Sequence, residues 1–85
     1  MIQKSVQIKL EGGLEARTVA MLVQVASQYD SSVYIESANK KVNAKSIMGM
    51  MGLGLNRDEA VTVIADGSDE ETAVTGIEKF LGGDQ

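Results

Sequence analysis

The sequence predicts a two-layer α+β protein in which three helices pack on one face of a four-stranded antiparallel sheet. Apolar residues alternate with polar ones in the segments that we assign to strands, and they recur at helical spacing in two longer segments. Glycine pairs follow the first strand and the last helix. The resulting order is β-α-β-β-α-β-α, and this arrangement buries every apolar stripe that the sequence contains.

The composition limits the kinds of protein that this chain can be. At 85 residues we expect one domain, residues 1–85. A net charge of −4 and an aromatic content of 4% argue against a nucleic-acid-binding protein. The absence of histidine and cysteine excludes imidazole catalysis, histidine-ligated zinc and disulfides, so we expect no cofactor and no metal. The sequence has neither a long apolar run nor the core of a signal peptide, which predicts a cytoplasmic protein without a membrane partner.

The first strand and the first helix follow directly from the apolar pattern. Alternation with polar residues, ended by Gly12 and Gly13, is typical of a strand with one wet face. The apolar members of this strand are Val6, Ile8 and Leu10. A helix then begins near Ala16, with Arg17 and Met21 on its exposed face. Its buried stripe consists of Val19, Leu22, Val23 and Ala26.

Three further strands are expected in the rest of the chain. The second contains Val33 and Ile35, and the third covers Lys40–Asn43. Ala38 and Asn39 form the turn between them, and asparagine suits this corner because it tolerates positive φ. A well-buried fourth strand is predicted over residues 60–65.

The last helix carries a clear N-terminal signal. Ser68 and Glu71 have the spacing of a capping box, and Asp69 and Glu70 add negative charge to the first turn. A glycine pair ends the helix after residue 81. Its apolar stripe consists of Ala73, Val74, Ile77, Phe80 and Leu81.

The segment around Ser46 is the most unusual part of the sequence. Ser46 precedes a short apolar run, so its hydroxyl is expected to cap a short helix by accepting from the amide of Met48 or Gly49. Three of the five methionines, at positions 48, 50 and 51, lie here, and methionine is common at adaptable partner surfaces. The simplest interpretation is a cap and nothing more. A phosphate on Ser46, however, would lie at a helix N-terminus and change what docks beside it. The cations expected nearby are Lys40, Lys41 and Lys45.

The element order and two motifs resemble the HPr family, the histidine-containing phosphocarrier proteins of the bacterial sugar phosphotransferase system. The likeness covers essentially the whole chain and implies an HPr-like open-faced two-layer sandwich. Residues 13–18 resemble the phosphorylation loop of the family, except that Glu15 stands at the position of the histidine and Thr18 at that of the usual proline. Residues 45–49 are similar to the regulatory phosphoserine segment of the Gram-positive members.

The missing histidine points to a subgroup, because the sequence looks like the catabolite-repression relatives that keep only the regulatory serine. This resemblance implies that Ser46 is phosphorylated by an ATP-dependent HPr kinase/phosphorylase. It also implies that the phosphorylated form binds a repressor of the catabolite control protein A type, and that the chain is not an enzyme. The implied partner-binding residues are Glu15, Arg17, Met21, Lys45, Ile47, Met48 and Met51.

Two alternatives from other classes remain open at this point. The chain could be a phosphocarrier-type component that acts through Glu15, or that competes for HPr partners such as enzyme I and enzyme II components. It could also be an unrelated small ligand-binding module or acyl-phosphate hydrolase with a ferredoxin-like fold. Glu15 itself either stabilises the first helix by its charge or, together with Arg17, partially imitates a phosphorylated histidine.

Overall fold

A computed structural model describes residues 1–10, 15–38, 40–53 and 58–82, and the predicted order of elements is confirmed within these ranges. The predicted turn residues Gly12, Gly13, Asn39 and Gly83 lie outside them. No helix in the described ranges is long and apolar enough to cross a membrane. The elements are β1 (Ile2–Gln7), α1 (Ala16–Ser27), β2 (Ser32–Ser37), β3 (Lys40–Asn43), α2 (Ile47–Met51), β4 (Ala60–Asp66) and α3 (Glu70–Leu81).

The four strands form one antiparallel sheet in the order β1-β4-β2-β3. Val6 lies opposite Val61, and Val63 lies opposite Ile35, so these side chains share the face that the helices cover. On this face α3 packs against β1 and β4, while α1 contacts α2 and α3. The predicted stripes of α1 and α3 lie against the core, with Phe80 only partly buried. The predicted fold class is therefore confirmed.

The first strand is shorter than the alternation predicts, because the chain leaves the sheet after Gln7. Ile8 is still fully buried, and its amide donates to the Glu59 carbonyl at 2.9 Å. The next amide, that of Lys9, donates instead to the carbonyl of Leu81 at 2.7 Å. Because β1 is an edge strand and the Ile8 amide points towards β4, the Lys9 amide points to the open edge of the sheet, where the end of α3 accepts its hydrogen bond.

The predicted capping box of α3 is wrong. The helix begins at Glu70 rather than directly after Ser68, and Asp69 occupies the N-cap position. The carboxylate that reaches back is that of Glu70, not Glu71: its Oε1 accepts from the amide of Gly67 at 3.1 Å. This hydrogen bond lowers the pKa of Glu70. The acidic first turn was predicted correctly, but the residues that cap it were not.

Asp69 does not cap its own helix because its carboxylate holds the connection between α1 and β2. It accepts from the amides of Asp30 and Ser31, each at 2.9 Å, and from the Ser31 hydroxyl. Ser31 is buried, and a side chain at Gly67 would come within 2.7 Å of its Cα. Gly67 has a φ of 157°, so this close contact depends on glycine there. Asp69 thus joins two parts of the chain that lie far apart in sequence.

The stability of the protein should fall in acid because of this contact. The Ser31 hydroxyl, and then the Asp30 amide, lower the pKa of Asp69 below its ordinary value of 3.8. The folded state is therefore stabilised in full above that value and loses this contribution as the pH falls through the lower folded pKa. Urea unfolding between about pH 5 and pH 2 should show this dependence in the wild type and a flatter one in Asp69→Asn. Glu71→Gln, which removes an exposed acid of α3, is the control, and equal slopes in all three proteins would contradict the assignment.

In the described part of the turn between β2 and β3, the backbone has a positive φ at Ala38. Ser37 lies opposite Lys40, so two residues connect the strands. Ala38 has a φ of 52°, and Asn39 lies outside the described residues. Two-residue hairpin loops favour type I′ and II′ turns, because the backbone twist of these turns matches that of the strands. Both turn types require a positive φ at the first loop residue, which here is an alanine.

Replacing Ala38 with glycine should stabilise the protein by about 0.5–1 kcal/mol, because alanine pays a steric cost at positive φ that glycine avoids. The free energy of unfolding from urea titration measures the change. Ala20→Gly, within α1, is the matched control and should destabilise by about 1 kcal/mol. If both substitutions destabilise the protein, the turn does not hold Ala38 in the left-handed region.

Candidate docking and phosphorylation site

Ser46 lies at the N-cap of α2, as the sequence predicts. Its backbone is extended, with φ −109° and ψ 113°, and its hydroxyl oxygen accepts from the Gly49 amide at 3.3 Å. Its carbonyl accepts from the Met50 amide at 3.0 Å, which starts the helix. The side chain is half-buried. The hydroxyl is therefore held at the start of α2 by a long hydrogen bond, and it is not enclosed in the core.

Four large apolar side chains are exposed on α1 and α2, which contact each other. Their exposed fractions are 50% for Met21, 46% for Ile47, 87% for Met48 and 53% for Met51. Met50, in the same short helix, is fully buried in the core. Helix α2 thus fixes itself to the core through one methionine and presents its neighbours to solvent. We call Met21, Ile47, Met48 and Met51 the methionine surface.

Glu15 and Arg17 lie at the beginning of α1, and both are exposed. Glu15 is the N-cap residue: its backbone is extended, and its carbonyl accepts from the Val19 amide at 2.8 Å. Its side chain makes no capping hydrogen bond within the described part of the chain. The carboxylate therefore lies near the positive end of the helix dipole without closing the helix end. Gly13 and Leu14, which precede it in the predicted motif, lie outside the described residues.

The lysines predicted around Ser46 do not form one cluster. The Lys45 ammonium donates to the carbonyl of Tyr29, just beyond α1, at 2.7 Å, and its amide donates to Asn43 Oδ1 at 2.8 Å. Lys41 lies 4.8 Å above the ring of Tyr34, on the sheet face that the helices leave uncovered. Lys45 thus connects α1 to the start of α2, and Lys41 faces away from them. The contact with Tyr29 could not be predicted from the sequence, since nothing in the local pattern marks a carbonyl 16 residues away.

Comparison with known proteins places the chain in a family. The profile described as the PTS HPr component phosphorylation site matches residues 2–82. The chain belongs to the HPr family. The HPr-like protein Crh of Halalkalibacterium halodurans is 43% identical to it over 81 residues, which is 95% of this chain and 96% of the relative. The chain is therefore a Crh-like member of the family, and membership removes the alternative of an unrelated ligand-binding module.

Solved structures agree with this assignment. The phosphocarrier protein HPr of Bacillus anthracis superposes with a TM-score of 0.91 at 40% identity, over 94% of this chain and 95% of that one. Crh of Bacillus subtilis, whose crystal structure is a dimer with a swapped domain, gives 0.80 at 42% identity over 99% and 97%. The fold is the HPr open-faced sandwich. At the level of the family, this is an HPr-like regulatory protein of the phosphotransferase and catabolite-repression group.

Proposed function

We propose that this HPr-like protein is a phosphorylation-dependent regulator. An HPr kinase/phosphorylase transfers a phosphoryl group from ATP to the Ser46 hydroxyl, and the phosphorylated form binds a repressor of the catabolite control protein A type. The observation that carries the proposal is that the Ser46 cap directly precedes the exposed residues of α2. In this role the chain is a substrate and a ligand of other proteins, and it catalyses no reaction itself.

The position of Ser46 would allow phosphorylation to change the protein surface while the fold stays the same. Because the hydroxyl makes only a 3.3 Å bond to the Gly49 amide, its replacement by a phosphate ester does not open the core. The amides at the start of α2 favour an anion, and the phosphate adds about −1.5 to −2 charges. A partner with an apolar pocket and a cation would therefore distinguish the phosphorylated protein from the unphosphorylated one. Arg17 supplies a positive charge that an acidic residue of the partner can pair with. In this proposal Lys45 positions Ser46 through Tyr29.

A second role is supported by the exposed carboxylate of Glu15. An exposed acid at the position of the family histidine, with Arg17 two residues away, offers phosphotransferase partners a fixed negative charge. We propose that the chain competes with ordinary HPr for enzyme I or enzyme II components through this charge. A carboxylate has one charge and no tetrahedral shape, so the imitation of a phosphorylated histidine is partial and the competition is weak.

Incubation with an HPr kinase and ATP should add one phosphoryl group to the wild type, read by intact mass and located by peptide mapping. Ser46→Ala removes the acceptor but also the cap, which costs about 0.5–2 kcal/mol of stability. Ser46→Asn is the better control, because asparagine caps a helix equally well and has no hydroxyl. Added mass on Ser46→Asn, or none on the wild type with a kinase that is active on an ordinary HPr, would contradict the proposal.

A further inference from the structure

The methionines of this chain differ sharply in their access to solvent. Met48 is 87% exposed, Met51 and Met21 are about half exposed, and Met50, between Met48 and Met51 in sequence, is fully buried. The chain has no cysteine, so no thiol competes with these thioethers for an oxidant. Met1 is also exposed, but it precedes β1 and is not part of the methionine surface. The oxidisable sulfur of the described chain is thus concentrated on the surface to which we assign docking.

We infer that Met48, Met51 and Met21 form a redox-sensitive modification site, and that their oxidation to sulfoxides prevents the HPr kinase from docking. The oxidant is a peroxide. The sulfur lone pair attacks one peroxide oxygen, a sulfur–oxygen bond forms and the oxygen–oxygen bond breaks. With hydrogen peroxide, the leaving hydroxide takes the proton from the new S–OH group, which gives the neutral sulfoxide and one water molecule. Sulfur is oxidised by two electrons to the sulfoxide and the peroxide is reduced by two. This inference rests on the proposed docking function, because it assigns a means of regulation to the same surface.

The structure separates the effect on docking from an effect on the fold. Met21, Met48 and Met51 are all outside the core cluster, whereas Met50 is inside it. Oxidation of the exposed three therefore leaves the packing intact, while each flexible apolar side chain becomes polar. A partner pocket that buries these side chains would then have to desolvate a sulfoxide oxygen. Since sulfoxides are reduced by methionine sulfoxide reductases, the switch is reversible.

The modification is tested by treating the folded protein with hydrogen peroxide and following each methionine by peptide mass spectrometry. Met48 should react at a rate close to that of free methionine, Met51 and Met21 more slowly, and Met50 only after unfolding in urea. The thermal unfolding midpoint should not change once the three exposed residues are oxidised. Oxidation of Met50 at the rate of Met48, or a loss of folded structure that accompanies sulfoxide formation at Met48, would overturn the site.

The effect on docking is tested after the peroxide has been removed, so that the kinase itself is not oxidised. The initial rate of Ser46 phosphorylation should fall by about tenfold or more, since a polar group replaces apolar contacts, and reductase treatment should restore it. A variant with Met21, Met48 and Met51 replaced by leucine has no oxidisable sulfur on this surface, so peroxide treatment should not change its own phosphorylation rate. An unchanged rate for the oxidised wild type, or a peroxide-sensitive leucine variant, would overturn the switch.

The two proposals fail in different ways. If the untreated protein is not phosphorylated at all, the proposed function fails and the assignment of a docking switch falls with it, whatever the oxidation rates are. If the untreated protein is phosphorylated and the oxidised protein is phosphorylated equally well, the proposed function stands and only the switch is wrong.

Discussion

Replacing both Met48 and Met51 with glutamate should lower kcat/KM for phosphorylation of Ser46 by an HPr kinase by about two orders of magnitude or more. Burying an apolar side chain of this size contributes about 1.5–3 kcal/mol, and a buried unpaired carboxylate costs more than that contact contributes. The protein itself should stay folded, because both side chains are already largely exposed. Steady-state kinetics measure the loss, and far-UV circular dichroism confirms the fold.

The control for this prediction carries the same two charges elsewhere. Gln3 and Ser5 lie opposite Ile64 and Thr62, on the sheet face without helices. A protein with glutamate at both positions should be phosphorylated like the wild type, and one with leucine at positions 48 and 51 should keep most of its activity. A charge effect that is equal on the two faces would mean that the kinase does not dock on the methionine surface.

The fold could be predicted because burial on one face imposes a period on each element. The stripe of α1 and the spacing of Val33 and Ile35 in β2 each place buried side chains on one side, and two layers are the simplest way to cover them. The predicted boundaries of two elements, the end of β1 and the start of α3, were wrong. Just after β1 the Lys9 amide donates to the Leu81 carbonyl, and at the start of α3 the N-cap residue Asp69 binds Ser31 and makes no side-chain cap to its own helix. Neither partner is visible in a local sequence pattern.

In the candidate site, too, local features could be predicted from the sequence and long-range contacts could not. Ser46 was predicted as a cap and is one, because capping is decided within three residues. The family resemblance, and not the spacing, assigned Met48 and Met51 to partner binding, and spacing alone does not say that Met50 is the buried one. That depends on how α2 meets α1 and β3. The ammonium of Lys45, the residue before Ser46, binds the carbonyl of Tyr29, a partner that only the packed fold brings close.

Changing Glu15 to histidine should produce a protein that enzyme I phosphorylates from phosphoenolpyruvate, with one phosphoryl group on each chain, while the wild type stays unlabelled. Two described parts of the motif that resembles the family's phosphorylation loop favour this result: α1 begins at Ala16, and Arg17 is exposed in its first turn. Thr18, which the resemblance matches to a usual proline, is the third residue of α1, and proline is tolerated in a first helical turn. The departure at position 18 therefore does not require a different start of the helix.

Intact mass, with and without enzyme I, decides between the open roles of Glu15. A carboxylate is a weaker nucleophile than an imidazole, and an acyl phosphate is a reactive species. We therefore expect label on Glu15→His and none on either the wild type or the isosteric control Glu15→Gln. Label on the wild type that is lost in Glu15→Gln would show instead that the carboxylate itself accepts the phosphoryl group, and the phosphocarrier alternative would replace the regulatory one. An unlabelled Glu15→His would mean that this surface has lost the contacts to enzyme I as well as the nucleophile, which would remove the proposed competition for enzyme I too.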